Sequence, residues 1–206
     1  MRTKLLIVIF LAVLAGVATF GWLGYRLFTT GFSAKTEPQA IEIFLARQIR
    51  HLAIPIEQRN TPNPVALSPD LLQEGLAHFA DHCAGCHAND GSGQTPIGKN
   101  VYPKAPDLRL PDTQSMSDGE LFWVIHNGIR FTAMPAWGEG DPAQDLDSWK
   151  LVHFLRHLPQ LTTEELDQMK ALNPKTKKDL EEEAAFDQFL QGNDSAAIQP
   201  ESGHHH

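Results

Sequence analysis

Residues 75–87 read Gly-Leu-Ala-His-Phe-Ala-Asp-His-Cys-Ala-Gly-Cys-His, and both cysteines of the chain, Cys83 and Cys86, fall inside this stretch, two residues apart and directly followed by His87. Two thiols one helical turn apart can add to the two vinyl groups of one porphyrin, and the adjacent imidazole then reaches the iron. Cys-x-x-Cys-His is accordingly the attachment pattern of a c-type haem. Three other uses of the pair fit less well. Structural zinc needs two more ligands at comparable spacing, a redox dithiol needs a βαβ setting, and one disulfide makes no disulfide scaffold.

Outward from the motif, the pattern is helical in both directions. Upstream, Ser68-Pro69-Asp70 opens a helix with Leu72, Leu76, Phe79 and Ala80 on one face that runs straight into Cys83. Downstream, residues 89–111 are rich in Gly, Pro, Asp and Asn and read as loop. Ser117 with Glu120 forms a capping box for a helix through Leu121, Phe122, Val124 and Ile125, stopped by Asn127-Gly128. Another helix, from about Asp145 to Leu158, directs Leu146, Trp149, Val152 and Phe154 to a core and is ended by Pro159. Thr162 with Glu165 starts a further one, and a last helix runs from about Lys178 to Leu190 and ends at Gly192. No alternating strand pattern and no repeat interrupts this series, so the fold class is all-α.

A haem held from one side needs a decision about the other, because the second axial ligand separates an electron carrier from a protein that binds gases or peroxide. Met134 is the candidate. It sits in Phe131-Thr132-Ala133-Met134-Pro135-Ala136-Trp137, a loop after a helix, where a thioether is not committed to a helix face. Met116 and Met169 read as core filler. His78, His82, His126, His153 and His157 are rival ligands; His82 is too near the attachment site to reach the opposite haem face, and the other four lie on helices where a hydrogen-bonded histidine is the common case.

Taken in order, Gly75-x-x-x-Phe79-x-x-x-Cys83-x-x-Cys86-His87, Asp90-Gly91-Ser92-Gly93, Pro106-Asp107-Leu108, Asn127-Gly128, Met134-Pro135 and the helix carrying Trp149 resemble a class I c-type cytochrome. The likeness is to the membrane-anchored bacterial monohaem cytochromes and the haem c domains of respiratory oxidases and reductases, and it covers about Pro69 to Leu158. It implies one haem c, covalent through Cys83 and Cys86, with His87 and Met134 on the iron. It implies also that the Pro106 carbonyl accepts from the other nitrogen of His87, and that Gly75 and Phe79 meet the Trp149 helix. The loop between His87 and Pro106 is longer than in the smallest members of that family. Phe79, Leu108, Trp123 and Val152 are expected around the porphyrin.

The remaining sequence sets the location. Of 206 residues, 42% are hydrophobic and 20% charged, and the formal charge is −8, which leaves no basic patch for nucleic acid. Leu5 to Tyr25 carries no charge and as a helix reaches about 30 Å, enough to span a bilayer. A cleaved leader is the other reading, with mediocre processing sites at Gly16-Val17-Ala18 and Phe32-Ser33-Ala34. Arg2 and Lys4 flank its near end and Trp22 and Tyr25 its far end, which places the N-terminus in the cytoplasm and the rest in the periplasm of a bacterial cytoplasmic membrane, as a single-pass protein. Ile41, Phe44, Leu45, Ile49 and Leu52 mark an amphipathic helix, expected to pack on the soluble domain, with the membrane surface as the alternative. Residues 54–68, with prolines at 55, 62 and 64, read as an extended linker.

The expected organisation is therefore a transmembrane anchor (1–28), a linker with an amphipathic helix (29–66), a cytochrome c haem domain (67–161), accessory helices (162–192) and a disordered tail (193–206). His204, His205 and His206 are either a tag remnant or a native weak metal-binding end. The expected function is single-electron transfer between respiratory-chain partners, with no catalytic residues and no small-molecule substrate. Two other readings are a haem subunit of a larger oxidase or reductase and a gas- or peroxide-reacting haem protein. All 25 acidic residues lie beyond Arg26 with 14 of the 17 basic ones, so redox protein partners are expected to present basic or neutral docking surfaces.

Overall fold

The computed structural model describes residues 2–30, 33–175 and 177–190; the expected disordered tail and its histidines lie outside them. Among the described residues every regular element is helical. The first helix, α1 (Arg2–Thr30), includes a stretch Arg2–Arg26 of mean hydropathy 2.5 that buries nothing against the rest of the chain, long and apolar enough to cross a membrane, as a leader sequence also is.

Helix α2 (Ala40–Ala53) meets the soluble domain through its polar side. The Tyr102 hydroxyl donates to Glu42, Arg47 pairs with Asp112, and His51 Nδ1 lies 2.8 Å from Glu120 Oε1. Ile41, Phe44, Leu45, Ile49 and Leu52 remain at the surface. The helix does pack on the domain, but with the opposite face from the one its apolar spacing suggests.

The proline-rich segment after α2 is a strap bound along the domain rather than a free linker. Ile54 is buried, Ile56–Arg59 forms one helical turn, and Gln58 lies so close to Gly119 that a Cβ there would strike its carbonyl. Ser117 Oγ donates to the Arg59 carbonyl (2.6 Å), Asn63 Nδ2 to the Trp149 carbonyl (3.0 Å), and His153 Nε2 lies 2.7 Å from the Val65 carbonyl. Prolines exclude a long helix here, and these side-chain bonds replace the missing backbone ladder.

The domain itself is built on helices α3 (Pro69–His78), α4 (Asp118–Asn127), α5 (Leu146–His157) and α6 (Thr163–Leu172). Helix α3 crosses α5 at Gly75, where an added Cβ would stand 2.8 Å from the Lys150 carbonyl oxygen and 3.0 Å from Phe154 Cβ. Only hydrogen fits there, and the close approach sets Phe79 against Phe154 with ring centroids 5.1 Å apart. Helix α4 packs on α5 through Leu121, Phe122 and Ile125, with Phe122 stacked on Trp149 at 4.1 Å. Leu76, Phe79, Phe122, Leu151, Val152, Phe154, Leu158 and Met169 are fully buried, each contributing about 1.5–3 kcal/mol by removal from water. Leu146, expected in this core, is exposed, whereas Leu151 and Leu155 are buried. A further helix, α7 (Lys177–Leu190), carries Lys177–Glu181 and Lys178–Glu182 pairs along its exposed length.

The two capping boxes read from the sequence are present, Asp145 adds a cap that the sequence reading did not name, and each of these three caps takes a histidine from elsewhere. Ser117 and Glu120, like Thr162 and Glu165, form reciprocal capping boxes, and Asp145 accepts from the Ser148 amide. The free carboxylate oxygens face His51 (2.8 Å), His157 (2.7 Å) and His126 (2.6 Å) respectively. Burial alone would raise the pKa of all three carboxyl groups, but the hydrogen bonds from Ser117, Thr162 and Ser148 and from the histidines outweigh it, and each is held below its ordinary value.

A carboxylate with a folded pKa below its unfolded one stabilises the fold fully above the ordinary carboxylate range and loses that contribution as pH falls through the folded value. Thermal unfolding midpoints of the wild-type chain should therefore fall steadily once the pH drops below about 4, and Asp145→Asn, already lacking one such group, should show a shallower acid slope with a lower midpoint at pH 7. Parallel slopes for the two proteins would refute the role given to Asp145.

Candidate functional site

The site begins where α3 ends. The helix does not run straight into the cysteines: over Phe79–Cys83 it widens to a π turn, closed by the Ala84 amide donating to the Phe79 carbonyl, and returns to α-helix over Ala84–His87. Such a turn inserts one residue without breaking the helix and rotates the residues beyond it. Cys83, Cys86 and His87 are thereby presented together on one short rigid segment.

Both thiols are free and half-buried. Burial, and next the neighbouring Cys86, pushes the Cys83 thiol up to about 12. A redox dithiol works in the opposite sense, by holding its attacking thiol low. Among the described residues no group of three or more His, Cys, Asp or Glu side chains is placed to hold a metal ion, so no further ligands of a zinc site join the pair there.

Residues 88–108 fold back over the motif and close on its backbone. The Gly93 amide donates to the His87 carbonyl (2.7 Å) and the Leu108 amide to the Gly91 carbonyl (2.8 Å). Thr95 caps the turn Pro96–Asn100 and donates its hydroxyl to the Cys86 carbonyl (3.2 Å). Gly98 then lies against that same carbonyl, and Gly93, at φ +71°, against the carbonyl of Ala105, both too near for a side chain. This wrapping brings the Pro106 carbonyl beside the His87 ring. Burial lowers the His87 pKa, while the Pro106 carbonyl acts in the opposite direction. The contact falls short of hydrogen-bond geometry, since His87 Nδ1 is buried and has no partner, alone in this among side-chain polar atoms of the described residues.

Met134 lies on a different segment, a loop fastened at both ends to α4. Gly128, at φ +65°, stops α4 so closely against Pro135 that a Cβ would be 2.5 Å from the Pro135 carbonyl carbon. The Ile129 amide donates to the Met134 carbonyl (3.1 Å), the Thr132 hydroxyl to the Ile129 carbonyl (2.8 Å), and the Met134 amide to Thr132 Oγ1 (3.1 Å). Farther on, the Trp137 and Gly138 amides donate to the Ile125 and His126 carbonyls, each at 3.1 Å. Every one of these bonds uses backbone or Thr132, so the Met134 side chain is left uncommitted. It is half-buried and outside the hydrophobic core, whereas Met116 packs against that core and Met169 is buried in it. Phe131 at the loop tip takes φ +63° and is 93% exposed.

Residues 70–155 match the family model described as Cytochrome C oxidase, cbb3-type, subunit III. This part of the chain is a c-type cytochrome domain. None of the curated proteins matches the chain. The cytochrome domain has the all-helical class I cytochrome c fold, and haem c with an electron-transfer role follows from that family. The residues present fit such a group: a buried imidazole with an unsatisfied nitrogen, two free thiols one turn apart, and a thioether kept out of the core.

Of the rival histidines, His126, His153 and His157 are each held by a partner already named, and His78 meets His82 edge to face at 4.9 Å. Residues that sequence reasoning missed hold the Met134 loop in place. Trp137 packs edge-on to His82 at 5.3 Å, joining the loop to the attachment segment. His126, buried with Asp145 and stacked on Phe122 at 5.4 Å, presses against Gly138, where a Cβ would overlap its ring. Nothing in the local sequence connects residues 126, 138 and 145.

Gly138→Ala should force His126 from Asp145 and loosen the loop of the cytochrome domain while leaving Cys83 to His87 in place. Tryptic cleavage of the native chain after the exposed Arg130, followed by mass spectrometry, should quicken on the order of tenfold, equivalent to about 1.4 kcal/mol of local opening. An unchanged rate would show that this contact does not hold the loop.

Proposed function

We propose that the chain is a membrane-anchored electron carrier with a single haem c, held through thioether bonds from Cys83 and Cys86 and ligated axially by His87 and Met134. The unpaired, buried Nδ1 of His87 beside the Pro106 carbonyl is the observation that carries this reading. A buried imidazole without a partner is costly, and donating Nδ1–H to Pro106 while Nε2 binds iron uses both nitrogens. Bound there, haem c supplies a reversible one-electron couple.

The rest is done by the chain. The Pro106 carbonyl orients the His87 ring and makes it a stronger base. The Met134 thioether, a soft and neutral donor, favours the reduced state. The fastenings of the loop keep that thioether in place through both redox states, so little rearrangement accompanies each transfer. Leu108, Phe79 and Val152 keep water from this side of the core. Residues 66–161 carry 12 acidic against 6 basic side chains, so docking favours redox proteins with basic or neutral surfaces. Arg2 and Lys4 hold the N-terminus in the cytoplasm and leave the domain in the periplasm, confined beside its partners by α1.

Replacing Met134 by Ala should leave haem covalently bound, abolish the far-red thioether-to-iron band, confer carbon monoxide binding and lower the reduction potential by on the order of 0.1 V. An unchanged spectrum and potential would remove Met134 from the site. The description of the matching family, an oxidase subunit, favours a second reading in which the chain is a fixed haem subunit. Extraction of native membranes in mild detergent distinguishes the two: a carrier elutes alone, whereas a subunit elutes with stoichiometric partners that carry further redox centres.

A further inference from the structure

Helix α2 turns its charged side to the cytochrome domain and its apolar side away. At 100° per residue, Ile41, Phe44, Leu45, Ile49 and Leu52 occupy an arc of about 140°. Only Gln48 interrupts that arc, and no charged side chain falls within it. Its centre is opposite Ile43 and Arg50, the two half-buried residues of the helix and the ones nearest the domain. Leu52 is 73% and Ile49 65% exposed. The charged residues that would keep such a helix in water are spent on the other side, Glu42 on Tyr102, Arg47 on Asp112 and His51 on Glu120.

We propose that this apolar face lies in the headgroup region of the outer leaflet of the bilayer that α1 crosses, with the cytochrome domain resting on the opposite, polar side of the helix. Three observations favour lipid over a protein surface. Nine residues separate Thr30 from Ala40, so the start of α2 stays within about 35 Å of the end of α1. The far end of α1 carries Trp22 and Tyr25, side chains suited to the interface, so the chain leaves the membrane close to where α2 begins. The face itself has the composition of an interfacial helix, large aliphatic residues and one Phe with a charged side opposite. In the usual arrangement that charged side faces water; here the domain covers it.

This placement requires α1 to be a membrane span, as proposed above. It fixes the orientation of the domain, since Tyr102, Asp112 and Glu120 become its membrane-proximal side. Electron exchange would then proceed through surfaces that face along the bilayer or away from it.

The test uses the full haem-loaded chain in liposomes, where Cys83 and Cys86 are consumed by thioethers and a new cysteine takes an environment-sensitive fluorophore. Labels are placed one at a time at Leu52→Cys and Phe44→Cys on the apolar face, at Leu14→Cys within α1, and at Lys170→Cys as an aqueous control; retained haem absorbance reports the fold. The α2 labels are expected to lose roughly half their emission to a lipid carrying a nitroxide near its headgroup, as the Leu14 label is to one carrying it deep on the acyl chain, and to be shielded from aqueous iodide, the reverse of the Lys170 label. If both α2 labels are quenched by iodide while the Leu14 label responds to lipid nitroxide, the anchor stands and α2 is not at the membrane. If they are shielded from both quenchers, protein covers the face, and the proposal is equally overturned. A Leu14 label silent to lipid nitroxide removes the anchor, and the placement of α2 with it.

Discussion

The approach of α3 to α5 at Gly75 is the constraint from which the candidate site is built. With hydrogen in place of a side chain, the α3 backbone comes within contact of Lys150 and Phe154, and Phe79, one turn on, reaches the aromatic side of α5. The π turn at Phe79–Cys83 begins at that contact, and the direction in which Cys83, Cys86 and His87 leave the core follows from it. A methyl group at residue 75 would displace the crossing, and with it the segment that presents both thiols and the imidazole. Gly93 and Gly98 play the same part for the loop that returns over the motif, since each lets a backbone carbonyl close on it. Three residues without side chains thus determine how near the segments of the site can come.

Electrostatics finishes what packing begins. Glu120, Asp145 and Glu165 each cap a helix and hold a histidine from a different element, so the same carboxylate sets a helix start and the position of a neighbour. His126 with Asp145 is the pair that matters for the site, because both are buried and Gly138 of the Met134 loop leans on the ring. The loop is pinned by backbone hydrogen bonds on either side of Met134, which leaves the thioether as the free element of a rigid support. An axial ligand is best held this way, with its support fixed and its side chain unspent.

The polar packing of α2 and the strap 54–68 gives the domain an approach from the N-terminal side that owes little to apolar burial. Ile54 is the only apolar side chain of that stretch buried outright. The remaining contacts are carboxylates, guanidinium groups, imidazoles and backbone carbonyls, and they turn the apolar stripe of α2 outward. The stripe is thereby left without a partner among the described residues, and α1, long and apolar enough to cross a membrane, ends with nine residues between it and α2.

What the amino-acid sequence determined by itself is what short-range chemistry controls: the caps at Ser117 and Thr162, the stop at Gly128, the apolar stretch of α1, and the Cys83, Cys86, His87 spacing of a c-type attachment pattern. Each depends on groups within a few residues of one another, so spacing alone specifies it. The tertiary structure decided the rest. Helix α5 is packed by α3 on one side and α4 on another, so its buried arc widens to about 220° and takes in Leu151 and Leu155 while leaving Leu146 outside. The prolines of the strap exclude helix but say nothing of the carbonyls it lies upon. The apolar stripe of α2 predicts that a face will be buried, not that Glu42, Arg47 and His51 will find Tyr102, Asp112 and Glu120 and claim the domain first. Partners sixty or more residues apart are brought together only when the chain has folded, and no local pattern encodes which of two faces they will choose.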